Sequence, residues 1–168
     1  MFLVRSGEQN PSPCCGGTLK VIGSRRRCFI NGAGERVVLI IRRLECETCK
    51  RVHHELPDIL VPYKRYSSES IEAVITGNKA LSVAADESTI VRWKQWFWAL
   101  AVHFLGSLIS IYIRFTKDAV EEIAALPQSP LQRIWQYVGD GPGWLSRVVR
   151  SVVNANLWLQ TRSAFMSG

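Results

Sequence analysis

The sequence predicts an α+β protein: a small N-terminal β-hairpin, residues 1–55, an extended linker, 56–66, and an all-helical region, 67–168. Three observations point there. Cysteines stand at both open ends of a two-strand pattern. A turn of glycine and asparagine divides that pattern, and beyond residue 66 the apolar residues recur at helical rather than alternating spacing.

The hairpin comes first. "GTLKVIGSRRRCFI" runs from Gly17 to Ile30, "NGAG" follows at Asn31 to Gly34, and "ERVVLIIRRLEC" returns to Cys46. Asparagine and glycine accept positive φ, which tight hairpin turns require. The returning segment is rich in β-branched residues. A sheet this small buries too little surface to offset its ordering entropy, so a metal at the open ends is the expected brace.

The ligands would come from two knuckles. Cys46 and Cys49 have the ordinary two-residue gap, and "SPCCGG", Ser12 to Gly17, lies opposite them. Cys15, Cys46 and Cys49 are three expected thiolate ligands of a structural zinc. The fourth position is open between Cys14, His53, Cys28 and water, since zinc accepts mixed sulfur and nitrogen shells. Against Cys14 stands its adjacency to Cys15, since the side chains of neighbouring cysteines leave the chain in different directions. No general-base constellation accompanies the knuckles, so the metal is expected to be structural.

Charge is concentrated in this part. The chain carries a formal +7, and between Lys20 and Arg51 nine Lys or Arg stand against three Glu. Arg25, Arg26, Arg27, Arg42 and Arg43 lie on or beside the strands, and arginine's planar fork suits phosphate oxygens. DNA is therefore an expected partner. The N-terminal residues lack the apolar stretch and cleavage site of a secretory signal, and five clustered thiols suit a reducing, cytoplasmic setting.

After the linker "HHELPDILVPYKRY", the segment "SSESIEAVITG" predicts a short helix capped by Ser67 or Ser68 and stopped by Gly77. A second helix is expected after Asp86. At 100° per residue, Ile90, Trp93 and Phe97 share one face, and Ser88, Arg92 and Gln95 share the other. A helix pair of this kind predicts a helix-turn-helix. Arg92 and Gln95 would meet base edges, and Ser88 or Thr89 would meet phosphate.

Trp96 to Ile113 contains no formal charge over eighteen residues. A membrane span needs about twenty. The expected reading is a buried core helix wrapped by helices from "TKDAVEEIAALP", "SPLQRIWQYVG" and "GWLSRVVRSVVNANLWLQTRSAF". The alternative is a small membrane-anchored protein with a cytoplasmic metal-bound hairpin. An enzyme is not expected: the fourteen acids are scattered, and no Ser-His-Asp arrangement or phosphate-cradling glycine loop is present.

The run "PCCGG…GSRRR…LIIRRLECETC…HHELPDILVPYKRY…ESTIVRWKQWF…NLWLQTRSAF" resembles a bacterial family of unknown function. Its members are small zinc-ribbon proteins with a helical C-terminal half, often encoded near transposases. The resemblance implies a DNA-associated accessory or regulatory protein, with a transposase or another protein of the same element as a further partner. Ser12 stands where that family has its first cysteine, which makes Cys14 the nearest replacement ligand.

Overall fold

A computed structural model describes residues 2–4, 10–78, 83–116, 129–159 and 164–166. The fold is mixed α+β, with four strands early in the chain followed by helices. Strands β1 (Phe2–Leu3), β2 (Leu19–Ile30), β3 (Arg36–Cys46) and β4 (Val52–Leu56) precede helices α1 (Ser68–Thr76), α2 (Glu87–Thr116), α3 (Pro130–Val138) and α4 (Trp144–Asn154). A last strand, β5 (Ala164–Met166), closes the described chain.

The hairpin of β2 and β3 is antiparallel, from Ile30 opposite Arg36 to Leu19 opposite Cys46, with one bulge between Val21 and Gly23. Its turn is fastened by Asn31, whose backbone N donates to Glu35 O at 3.0 Å and whose side chain accepts from Glu35 N at 2.8 Å. The other edge of β3 is shared. β4 pairs antiparallel with Arg43–Glu45, and β1 pairs parallel with Leu39 and Ile40. β5 then lies parallel to β4.

Segment 56–66 is embedded in the core. Leu56, Leu60 and Val61 are buried, although Ile59 is exposed, and bridges join Ile30 to Tyr66 and Leu60 to Ser67. One hydrophobic cluster runs from Phe29, Leu39 and Ile41 of the sheet through Leu60 and Ile71 to Trp93, Phe97, Val148 and Val152 of the helices.

α1 begins and ends as its sequence dictates. The Ser67 side chain accepts from Ser70 N, and Gly77 closes the helix at φ 74°. In α2, Asp86 accepts from Thr89 N at 2.7 Å, so the expected cap is in place. Ten residues, 77–86, separate the two helices, and α2 extends for 30 residues. A helix-turn-helix has a turn of about three or four residues. The pair departs from that geometry, and α2 turns one stripe to the core, with Trp93, Phe97, Ala101, Phe104, Leu105 and Leu108 buried.

α2 is also long and apolar enough to cross a membrane, and one third of its most apolar window is buried (33%). Trp98, Val102 and Ile113, off that stripe, are exposed, as is Phe115 near the end of the helix.

α3 and α4 fall where helices are expected, but α4 is shorter. Asn156 takes φ 58°, its N–H reaches Val153 O at 2.9 Å, and the Leu157 N–H reaches Val152 O at 2.9 Å. This paired closure around a left-handed residue ends a helix. The chain beyond it supplies a strand, Ala164–Met166, where helix was expected. Of the helix expected from "TKDAVEEIAALP", residues 116–127, Thr116 ends α2 and the rest lies outside the described residues.

Candidate metal centre and cationic sheet face

Two tight turns bring the thiols together. In the first, Ser12 N donates to Gly17 O at 2.8 Å and Gly16 N returns to Ser12 O at 2.7 Å. Gly16 takes φ 75°, and the turn directs the side chains of Cys14 and Cys15 to the same side despite their adjacency. In the second, Lys50 N donates to Cys46 O at 2.9 Å, with Lys50 at φ 60°. Glu47 N bonds Thr18 O at 3.0 Å and ties the two turns to each other.

Cys14, Cys15, Cys46 and Cys49 have their sulfurs within 4.8 Å of one another and could hold a metal ion. Sγ–Sγ distances are 3.1 Å for Cys14–Cys49, 3.4 Å for Cys15–Cys46 and 3.8 Å for Cys14–Cys15. A metal with four thiolates at about 2.3 Å needs a tetrahedron with edges of about 3.8 Å. The sulfur set is close to that shape, with every separation within 4.8 Å. Gly17 completes the fit: a Cβ there would strike the Thr48 side chain and lie 3.2 Å from Cys46 Sγ.

The thiols divide: one is held low and another is raised. Backbone amide hydrogen bonding from Cys49, followed by the Ser12 hydroxyl, brings the Cys46 thiol down to about 6. Burial pushes Cys14 up to about 12. Thiols that are protonated without a metal must release protons to bind one. Ser12 is itself buried, with Oγ 2.6 Å from Cys14 Sγ and 3.3 Å from His53 Nε2.

His53 is fully buried, and its Nε2 lies 3.3 Å from Cys14 Sγ, behind the sulfur cluster. Burial, then the charge of Arg51, lowers its pKa and favours the neutral ring. Cys28 lies elsewhere: it pairs with Val38 far along the hairpin, and its sulfur meets the Arg36 guanidinium at 3.5 Å. Of the possible fourth ligands, Cys14 is the one grouped with the other three cysteines.

The strand arginines divide between two faces. Arg25 is opposite Ile41, Arg27 opposite Leu39, and Arg43 opposite both Gly23 and His54. Side chains of paired residues share a face, and alternate residues along a strand return to it. Arg25, Arg27, Arg43 and His54 therefore lie on the face that also carries the core residues Leu39 and Ile41, where Arg25 and Arg43 are exposed and Arg27 is half-buried, with Arg26 and Arg42 on the other face. Arg65 adjoins the row, since its charge and that of Arg25 act on Arg27. Arg25, Arg27, Arg43 and Arg65 make no ion pair among the described residues. His54 is held below its ordinary pKa by burial, then by Arg25 and Arg43.

Two expected phosphate contacts have other work. Arg42 grips the fully buried Glu55 with two hydrogen bonds, Nε–Oε2 at 2.6 Å and Nη2–Oε1 at 2.5 Å. Arg27 is half-buried and donates to Lys64 O at 2.9 Å. On α2, Ser88 and Thr89 both donate side-chain hydrogen bonds to Asp86, and Arg92 donates to Ser88 Oγ at 2.7 Å. Arg92 and Gln95 are exposed. Sequence reasoning missed Ser12 and Arg65. A buried serine beside a cysteine pair has no periodic signature, and Arg65 joins the row only through the pairing of Ile30 with Tyr66.

The comparison with curated proteins found no match, and neither did the comparison with solved structures. A family described as Domain of unknown function (DUF6431) matches residues 12–93, a span that takes in all four clustered cysteines, the arginine row and the start of α2.

Proposed function

We propose that the protein is a nucleic-acid-binding module in which a structural zinc ion braces a zinc-ribbon hairpin. Cys14, Cys15, Cys46 and Cys49 would hold the ion, and four thiolates with amide hydrogen bonding favour zinc among common metals. Zinc supplies no reaction step in this reading. It cross-links the open ends of β2 and β3, so that the arginines ride on a stiff sheet.

The observation that carries the reading is the exposed pair Arg25 and Arg43 on one sheet face, with exposed Arg65, none of which makes an ion pair among the described residues. Like charges held together are unfavourable unless something else compensates, and a polyanion does so by releasing its counterions. Arg92 and Gln95, exposed near the start of α2, would add contacts at the helical end.

Fluorescence anisotropy with labelled DNA of random sequence tests it. Affinity should fall steeply with added salt, and the double change Arg25→Ala, Arg43→Ala should flatten that dependence by about two charges' worth. Binding that ignores salt, or no binding at low salt, would overturn the reading. Elemental analysis should find one zinc per chain.

A further inference from the structure

Val61, Pro62, Tyr63 and Lys64 form a tight turn closed by Lys64 N donating to Val61 O at 3.1 Å. Proline in the second position and positive φ in the third are the marks of a type II turn, whose third position favours glycine. Here the third residue is Tyr63, at φ 61°. A bulky aromatic residue is strained in that region, and glycine would avoid the strain.

Packing does not explain the tyrosine. Val61 and Pro62 point inward and are buried, whereas Tyr63 is 63% exposed. Its place explains more. Arg27 donates to the carbonyl of the next residue, Lys64, at 2.9 Å. An exposed ring is thus held, against backbone preference, next to the residue whose carbonyl accepts from Arg27, an arginine that makes no ion pair among the described residues. Strain kept by the surrounding structure is a pointer to function.

We infer that Tyr63 is a stacking platform for an unpaired base, and that the polyanion bound by the arginine row is a single strand. This rests on the nucleic-acid reading above. A duplex keeps its bases stacked on one another and offers an exposed ring little. A single strand offers a π-face at every nucleotide while its phosphates follow the arginines. The position at a sheet edge also suits a strand laid across a surface better than a helix seated in a groove.

The test uses the full chain, a fluorescein-labelled oligothymidine of about twenty nucleotides and a duplex of equal length, titrated at several salt concentrations. The single strand should bind more tightly than the duplex. Tyr63→Gly should weaken single-strand binding about tenfold with an unchanged salt slope, and Tyr63→Phe should retain it. Because glycine suits the turn, Tyr63→Gly should melt no earlier than the parent, so the loss cannot be put down to misfolding. Equal affinity for the two probes, or full single-strand binding by Tyr63→Gly, would overturn the stacking role and leave the arginine row standing. Failure of both probes to bind at low salt would remove the nucleic-acid reading itself.

Discussion

The Glu72 carboxylate of α1 caps α4: Gly143 N donates to Oε1 at 2.8 Å and Leu145 N donates to Oε2 at 2.9 Å. Gly143 has no side chain to serve its own helix, so the cap comes from a residue distant in sequence. Carboxylates at helix N-termini gain from both the free amides and the helix dipole. Glu72→Ala should cost about 1–2 kcal/mol in a urea melt, with Glu72→Gln costing less. A loss below about 0.5 kcal/mol would mean that water serves those amides equally well.

Neighbouring arginines should behave in opposite ways. Arg42→Ala takes the guanidinium from a carboxylate that is fully buried, and should destabilise by about 3 kcal/mol. Arg43→Ala touches an exposed side chain with no ion pair among the described residues and should stay within about 0.5 kcal/mol. Binding should reverse the order, with Arg43→Ala weakening the grip on nucleic acid. Paired denaturation and anisotropy measurements separate the two roles.

Removing the metal should loosen the sheet before the helices. Chelation is expected to lower the melting temperature and to release protection from hydrogen exchange in β2 and β3 first. Cys14→Ala should abolish stoichiometric zinc, Ser12→Ala should lower affinity by about tenfold, and Cys28→Ala should change neither. Zinc retained at full stoichiometry by Cys14→Ala would move the fourth ligand elsewhere.

Asp86 gives a pH signature. Hydrogen bonds from Ser88 and then Thr89 hold its carboxyl down to about 2. A folded-state value below the unfolded one means that the cap's contribution is complete above about pH 4 and is lost as pH falls through 2. Carbon-detected NMR titration should find this depressed value, and Ser88→Ala should raise it. An ordinary value in the parent protein would show that the cap is open in solution.

The elements legible in the sequence were those with local causes. Asn31 to Gly34 marks the hairpin turn, Ser67 and Gly77 bracket α1, and Asp86 starts α2, each through chemistry confined to a few residues. β1 and β5 are two and three residues long, and their partners are remote, so no periodicity could reveal them. Asn156 was a readable stop for α4, obscured by the apolar residues that follow. For the thiol cluster, spacing supplied Cys15, Cys46 and Cys49. The grouping of Cys14 with them depends on the tight turn from Ser12 to Gly17, which spacing alone does not determine.

β5 has a consequence for how the chain is made. It aligns Ala164 with His54, which directly follows the buried His53 behind the thiols. During synthesis, the four clustered cysteines emerge well before residues 164–166 and can close their loop first. The sheet can be completed only after residues 164–166 emerge, across a sequence separation that makes pairing slow. Until then the outer edge of β4 stands open, and it is there that a nascent or truncated chain would be most prone to pair with another copy.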